Sequence, residues 1–294
     1  MFSIPFSAYL TIRNANSIIQ RCEKAFLSSD KKVCFDLSRC SFSDPFGTTL
    51  VAGAMIACIK KGHDVVYRRS KNNRLEQHFK RIGFYEFDES EVGKTKYSGR
   101  QVELNYLTAL DPTYTSAVIQ VLEGSLNMSQ GVKDSLHVCI NELMTNTFDH
   151  SETVLGCFAC AQAYTYKGEV KICLTDFGKG IFKALRQVPE YKHLKNSIEA
   201  IELAIQNGVT SRIGVRAGLG LDHIHRFLRI NNGQIHIISG DGWVHWNYQN
   251  GNGVIIKRKK LDIAFDGTIV NIVAKADGEG FYILSSENTE EQIF

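Results

Sequence analysis

A membrane-length apolar run, a secretory start and a strong charge imbalance are all missing from this sequence, and proline is scarce. Each shortage removes a class of protein. No stretch of about 18 uncharged apolar residues occurs, so no transmembrane helix is expected. The start, Met1-Phe2-Ser3-Ile4-Pro5-Phe6, lacks the basic segment and long apolar run of a signal peptide, so the expected location is cytoplasmic. Four prolines in 294 residues, with 44% hydrophobic and 22% charged residues, describe a packed chain and exclude a disordered one. The formal charge of +3 is too small to imply a nucleic-acid partner. The one basic cluster, Lys257-Arg258-Lys259-Lys260, follows Val254-Ile255-Ile256 and reads as an exposed strand end or hairpin rather than a docking patch. Eight cysteines are too few and too scattered for a disulfide framework. Cys157 and Cys160 form a CxxC, but no second pair follows at zinc-ligand spacing, and on a strand they would face opposite sides.

What is present is an alternation of strand and helix patterns. Val33–Leu37 reads as a strand, Ser38–Pro45 as a loop, Phe46–Lys61 as an apolar helix closed by Gly62, His63–Tyr67 as a strand and Asn72–Ile82 as a helix. With an upstream helix over Ala15–Phe26, this makes a small α/β unit. Asp88–Gly99 is polar and glycine-containing, the best interdomain linker in the chain. Beyond it come a strand at Val102–Leu107, helical Thr113–Leu122, a long helix over Gln130–His150, and strands at Gly156–Tyr166 and Glu169–Thr175. Helical Ser197–Gln206, a glycine-rich segment over Gly208–Gly220 and a helix over Leu221–Leu228 follow. Strands at Gln234–Ser239, Trp243–Tyr248, Gly253–Arg258 and Thr268–Ala274 close the reading.

Three elements carry chemistry. In the long helix, Glu142, Asn146 and His150 stand at successive fourth positions and therefore on one face. A carboxylate, an amide and an imidazole so stacked can hold a hard ion and orient water, although an ordinary polar helix face has the same spacing. The second element, Ile172-Cys173-Leu174-Thr175-Asp176-Phe177-Gly178-Lys179-Gly180-Ile181, is an apolar strand ending in aspartate, followed by two glycines that let backbone approach a ligand. A strand-end carboxylate can accept from an exocyclic amine, while the alternative is a plain turn. The third contains Gly208, Gly214, Gly218 and Gly220 with Arg212 and Arg216, and Gly218-Leu219-Gly220-Leu221 leads into a helix whose free N–H groups suit an anion. Alone it reads as a surface loop. No Gly-x-x-x-x-Gly-Lys-Ser/Thr run exists, which disfavours a P-loop.

In this order the three elements resemble the GHKL superfamily of ATP-binding domains, which includes DNA gyrase, MutL, histidine kinases and bacterial anti-sigma serine kinases, from about Leu104 onward. The resemblance implies a Bergerat-type α/β sandwich over residues 101–294, binding ATP and Mg2+. It makes Glu142 the catalytic acidic residue and Asn146 the magnesium ligand, with Asp149 and His150 in the nucleotide-binding set. Asp176 becomes the adenine-binding aspartate, with Gly178, Gly180 and Ile181 in the first glycine box and Gly218, Leu219 and Gly220 in the second. Arg212 and Arg216 fall in the lid, and Thr268, in Asp266-Gly267-Thr268, matches a threonine near adenine.

Residues 1–90 are similar to a STAS domain, the fold of anti-sigma-factor antagonists, through Phe35-Asp36-Leu37-Ser38-Arg39-Cys40-Ser41-Phe42-Ser43-Asp44-Pro45-Phe46-Gly47. Pro45 stands where such domains carry a phosphorylatable hydroxyl, with Ser43, Thr48 and Thr49 nearby. The expected organisation is a regulatory or docking unit at 1–90, a linker at 91–100 and the ATP-binding domain at 101–294. The expected function is a slow ATPase switch acting on a protein partner, of the kind that can be encoded alongside it; a homodimer is compatible, and direct nucleic-acid or membrane binding is not expected. Alternatives are an anti-sigma-type serine/threonine kinase and a non-catalytic nucleotide-binding scaffold. His137, inside the long helix, reads as a surface or packing residue and not as a phosphoacceptor.

Overall fold

The computed structural model describes residues 1–85, 95, 97–126, 128, 130–150, 155–206, 209, 220–249 and 253–275. Most of the expected linker, 88–99, lies outside them. The chain forms an α/β fold with two main sheets. The first unit runs β1 (Phe2–Pro5), β2 (Tyr9–Leu10), α1 (Ala15–Phe26), β3 (Lys32–Asp36), β4 (Phe42–Ser43), α2 (Pro45–Lys60), β5 (Asp64–Arg68) and α3 (Asn73–Arg81). The remainder runs β6 (Gln101–Leu107), α4 (Pro112–Glu123), α5 (Gln130–His150), β7 (Cys157–Tyr164), β8 (Glu169–Asp176), α6 (Gly180–Leu185), α7 (Ser197–Ala204), α8 (Gly220–Ile230), β9 (Gln234–Gln249) and β10 (Gly253–Lys275).

β1, β3 and β5 form a parallel sheet in that order, joined by α1 and α2 as crossovers. α2 starts where its sequence dictates: Asp44 caps it through a hydrogen bond from the Gly47 N–H, and Pro45 takes the first-turn position where a missing N–H costs nothing. Its residues from Pro45 to Cys58 are all buried. A helix apolar on every side must be enclosed on every side. α2 meets this condition by lying between its own sheet and the larger one, where it packs on β7 and β8 while α1 packs on β10.

The larger sheet is antiparallel, in the order β6-β7-β8-β10-β9. α4, α5 and α8 cover one face with a core that includes Leu136, Ile140, Met144, Ile172, Leu174 and Phe227. On the other face Cys173, Ile238, Leu261, Phe265 and Ile269 join the same core as the residues of α1 and α2. Two of the expected boundaries differ from the structure. Gln234–Ser239 and Trp243–Tyr248 are one strand, and Gly253–Arg258 and Thr268–Ala274 are also one strand. The ladder between them absorbs the irregularity as register shifts around Phe265, with Gly240 and Gly267 at positive φ, where a turn was expected. The basic cluster at 257–260 lies within β10 on an exposed stretch, where Arg258 pairs with Glu202 and Lys260 with Asp241. All eight cysteines are free and buried; Cys157 packs in the α5-side core and Cys160 approaches the Val102 carbonyl.

Candidate functional site

The site is organised by the alternation of β8. Successive side chains of a strand face opposite sides, so Ile172, Leu174 and Asp176 share one face and Lys171, Cys173 and Thr175 the other. On the α2 face, Lys171 Nζ lies 3.0 Å from Asp44 Oδ2, with Asp44 only 1% exposed. Thr175 Oγ1 is 2.9 Å from Thr49 Oγ1, whose hydroxyl also approaches Cys173. Pro45 and the hydroxyls of Ser43, Thr48 and Thr49 are buried at or beside this seam, so none stands open to a kinase.

On the α5 face Asp176 has no ion-pair partner among the described residues. Its Oδ1 accepts the Gly178 N–H at 2.9 Å, and Thr268, its register partner on β10, donates through backbone and hydroxyl. Burial outweighs these bonds and pushes the carboxyl up from its ordinary value to about 7. A carboxyl held there takes up an N–H donor readily, since the donor favours the ionised form that burial opposes.

Asp176 opens onto a cavity of about 110 Å³. A void of that order holds one planar ring, as an apolar cavity of about 150 Å³ holds benzene. Asn146 and Thr147 of α5, Gly180 and Ile181 of α6 and Thr268 of β10 share its lining, with apolar Leu143, Leu221 and Val270 around them. Five of the expected site residues, Asn146, Asp176, Gly180, Ile181 and Thr268, are thus brought to one space, and Gly178 adjoins it through its hydrogen bond. Glu142 lies one turn along α5 from Asn146, partly exposed and engaged, outside the described lining. Arg212, Arg216, Gly218 and Leu219 lie outside the described residues, as do the side chains of Asp149 and His150; Gly220 is described only as the first residue of α8.

Two supporting residues escaped the sequence reading. Ser239 Oγ accepts the Ile181 N–H at 2.8 Å and donates to the Gly267 carbonyl at 2.9 Å, fixing the start of α6 against β10. Gly267 has φ +136, and a Cβ there would stand 2.0 Å from the Asp176 carbonyl oxygen. Gly180 is similarly confined, at φ +76 with a Cβ position 2.7 Å from Ser239 Oγ. A glycine interrupting an apolar strand signals close backbone approach, and Gly267 carried that signal. Nothing in the sequence singled out Ser239, because its role depends on strand pairing across 58 residues.

Among the described residues no group of three His, Cys, Asp or Glu side chains could hold a metal. Among the described lining residues, the Asn146 amide oxygen is a hard donor that could hold at most an ion keeping most of its waters, the manner in which magnesium is commonly bound.

No protein-family model matches the chain, and no curated protein matches it. Among solved structures, the ATPase region of Saccharomyces cerevisiae topoisomerase II is similar over 49% of this chain and 36% of its own, at 13% identity and a TM-score of 0.29. The ATP-binding domain of Francisella tularensis topoisomerase IV, in complex with a small-molecule inhibitor, is similar over 66% and 48%, at 16% identity and a TM-score of 0.28. The chain therefore spans less than half the length of either structure.

Proposed function

We propose that this chain is an ATP-binding regulatory protein of the GHKL type, with Asp176 as the adenine anchor and slow ATP hydrolysis as its activity. One observation supports this most: a buried carboxyl with no charged partner among the described residues lines a ring-sized cavity that Asn146 of α5 also lines. Adenine presents the donor that this carboxyl lacks, and Leu143, Ile181 and Val270 offer apolar contact to its faces. Thr268 and Gly178 keep the carboxyl oriented toward the cavity.

Asn146 would hold magnesium through its amide oxygen, and the ion would neutralise charge on the phosphates. Glu142, one turn away on the same helix face, would orient water toward a terminal phosphate. Its partial exposure keeps water within its reach. Slow turnover suits a switch, in which occupancy biases two conformations and fast chemistry adds nothing. The output of the switch, a protein partner, is reached through the STAS-like first unit, residues 1–90, whose helix α2 contacts the strand that carries Asp176.

Calorimetry of Mg-ATP binding to the full chain tests the anchor. Saturable binding that disappears in Asp176→Asn supports it, and unchanged binding in that variant removes Asp176 from the site. Phosphate release that falls to background in Glu142→Gln, with binding kept, supports hydrolysis. Label passing from radioactive ATP to a co-purifying protein, with none released as phosphate, replaces hydrolysis by kinase activity.

A further inference from the structure

A second cavity, of about 420 Å³, lies on the other side of the Asp176–Gly180 turn, with walls from α1 and α2 instead of α5 and α8. That volume is within the range of about 300–1,000 Å³ typical of small-molecule sites. Its lining is largely apolar: Ile19, Cys22, Ala54 and Ala57 are buried there, and the rings of Phe26 and Phe177 line it as well.

Four charged side chains line it, Glu23, Lys179, Lys183 and Asp266, and Lys61 stands nearby. Lys183 pairs with Asp266 at 3.0 Å, and both are largely exposed. Lys179 donates to Gln187 at 2.8 Å. Lys61 donates to the Phe26 carbonyl and lies over the Phe26 ring. Each cation is therefore engaged. No hydrogen bond or ion pair among the described residues takes up the Glu23 carboxylate, and burial, then Asp266, lift its pKa above the ordinary value while Lys61 opposes them. A carboxylate on the wall of an apolar chamber is matched by an ammonium group carried on an apolar body.

We propose that this cavity is an effector site for a small amphipathic amine, its ammonium group paired with Glu23 and its apolar body held against Phe26 and Phe177. Phe177 and Gly178 both line the cavity, and the Gly178 N–H holds Asp176 Oδ1 at 2.9 Å. An occupant therefore bears on the residues that orient the anchor of the first site. This coupling rests on the nucleotide reading above; the binding itself does not.

Titration of 2-phenylethylamine into the full chain, followed by calorimetry, is the test, with 3-phenylpropionate as a probe of nearly the same body and opposite charge. The proposal expects saturable binding of the amine, weakened by about five- to tenfold in Glu23→Gln, and no binding of the acid. Because Glu23 is partly exposed, that variant should melt with the wild type, and Ala57→Leu, which fills the cavity, provides a second way to abolish binding. No saturable binding of the amine, equal affinity in Glu23→Gln, or equal affinity for the acid overturns the site. ATP affinity measured with and without saturating amine tests the coupling: a changed affinity supports it, and an unchanged affinity overturns it. If the amine binds and ATP does not, the nucleotide reading fails and the effector site stands.

Discussion

The two faces of β8 handle polar groups in opposite ways. Toward α2, each has a partner from another part of the chain: Lys171 meets Asp44 and Thr175 meets Thr49. Toward α5, Asp176 has only neutral donors and an empty volume in front of it. Buried polar groups are paired in native proteins because leaving one unpaired costs about 1–3 kcal/mol, and more when it is charged. The matched face is therefore structural, and the carboxyl without a charged partner is the one that the proposed nucleotide reading assigns to a ligand.

Breaking the matched face should produce the largest effect. Burial already lifts the Asp44 carboxyl above its ordinary value with Lys171 opposing it, so Lys171→Met leaves that enclosed carboxyl without its cation and is expected to lower the unfolding free energy by about 3–5 kcal/mol in urea. Adding Asp44→Leu should recover only part of that loss, because the apolar pair needs no desolvated charge but the α2 cap on the Gly47 N–H is removed with the carboxylate. A double variant as unstable as the single one would mean that the seam depends on more than this pair.

Removing the unmatched charge should act in the opposite direction. The folded pKa of Asp176 is raised, so its stabilising contribution is complete below the ordinary carboxyl value near 4 and is lost as pH rises through about 7. At pH 8 the wild type therefore carries the cost of an ionised buried carboxyl. Asp176→Asn should be more stable there, by about 2–4 kcal/mol, and no more stable at pH 4, while its ATP affinity falls at least about a hundredfold. Unfolding curves at the two pH values check the first statement and calorimetry the second.

A smaller effect links the faces. A Cβ on Gly53 would stand 2.2 Å from the Phe177 ring, which is already held edge-on by Phe158 and Phe265. Gly53→Ala should cost about 1–3 kcal/mol through overpacking and also weaken ATP binding severalfold, because Phe177 adjoins Asp176. The smallest effect belongs to Thr49→Val, about 1 kcal/mol by thermal melting with ATP affinity unchanged, since it removes only one hydroxyl, with its contacts to Thr175, Cys173 and the Phe46 carbonyl, on the matched face. If Thr49→Val also impairs ATP binding, the faces are less independent than this contrast holds.

Much of this was legible in the sequence where the signal is local. The α1 and α5 limits follow from apolar periodicity, whereas α2, expected from Phe46 after a loop ending at Pro45, begins on Pro45 itself because Asp44 caps it. Asn146, Asp176, Gly180, Ile181 and Thr268 were identified by residue chemistry and resemblance, and the fold gathers them at one cavity. What stayed hidden depends on pairing between distant segments. Ser239 and Gly267 matter only because β10 runs beside both β8 and β9, and the continuity of those long strands is supported by a bulge that reads locally as a turn. The short strand β1 was missed because Phe2–Pro5 is strand-like only beside β3. The burial of α2 between two sheets was written in its uniform apolarity, but a sequence alone does not say which second surface encloses it.

The most direct measurement is a carboxyl-carbon NMR titration of Asp176 in the full chain, with and without ATP. The unmatched-carboxyl account predicts a midpoint near pH 7 in the free protein and a fall of more than about one unit when nucleotide supplies its donor. A midpoint in the ordinary carboxylate range, or one that ATP leaves in place, would contradict it.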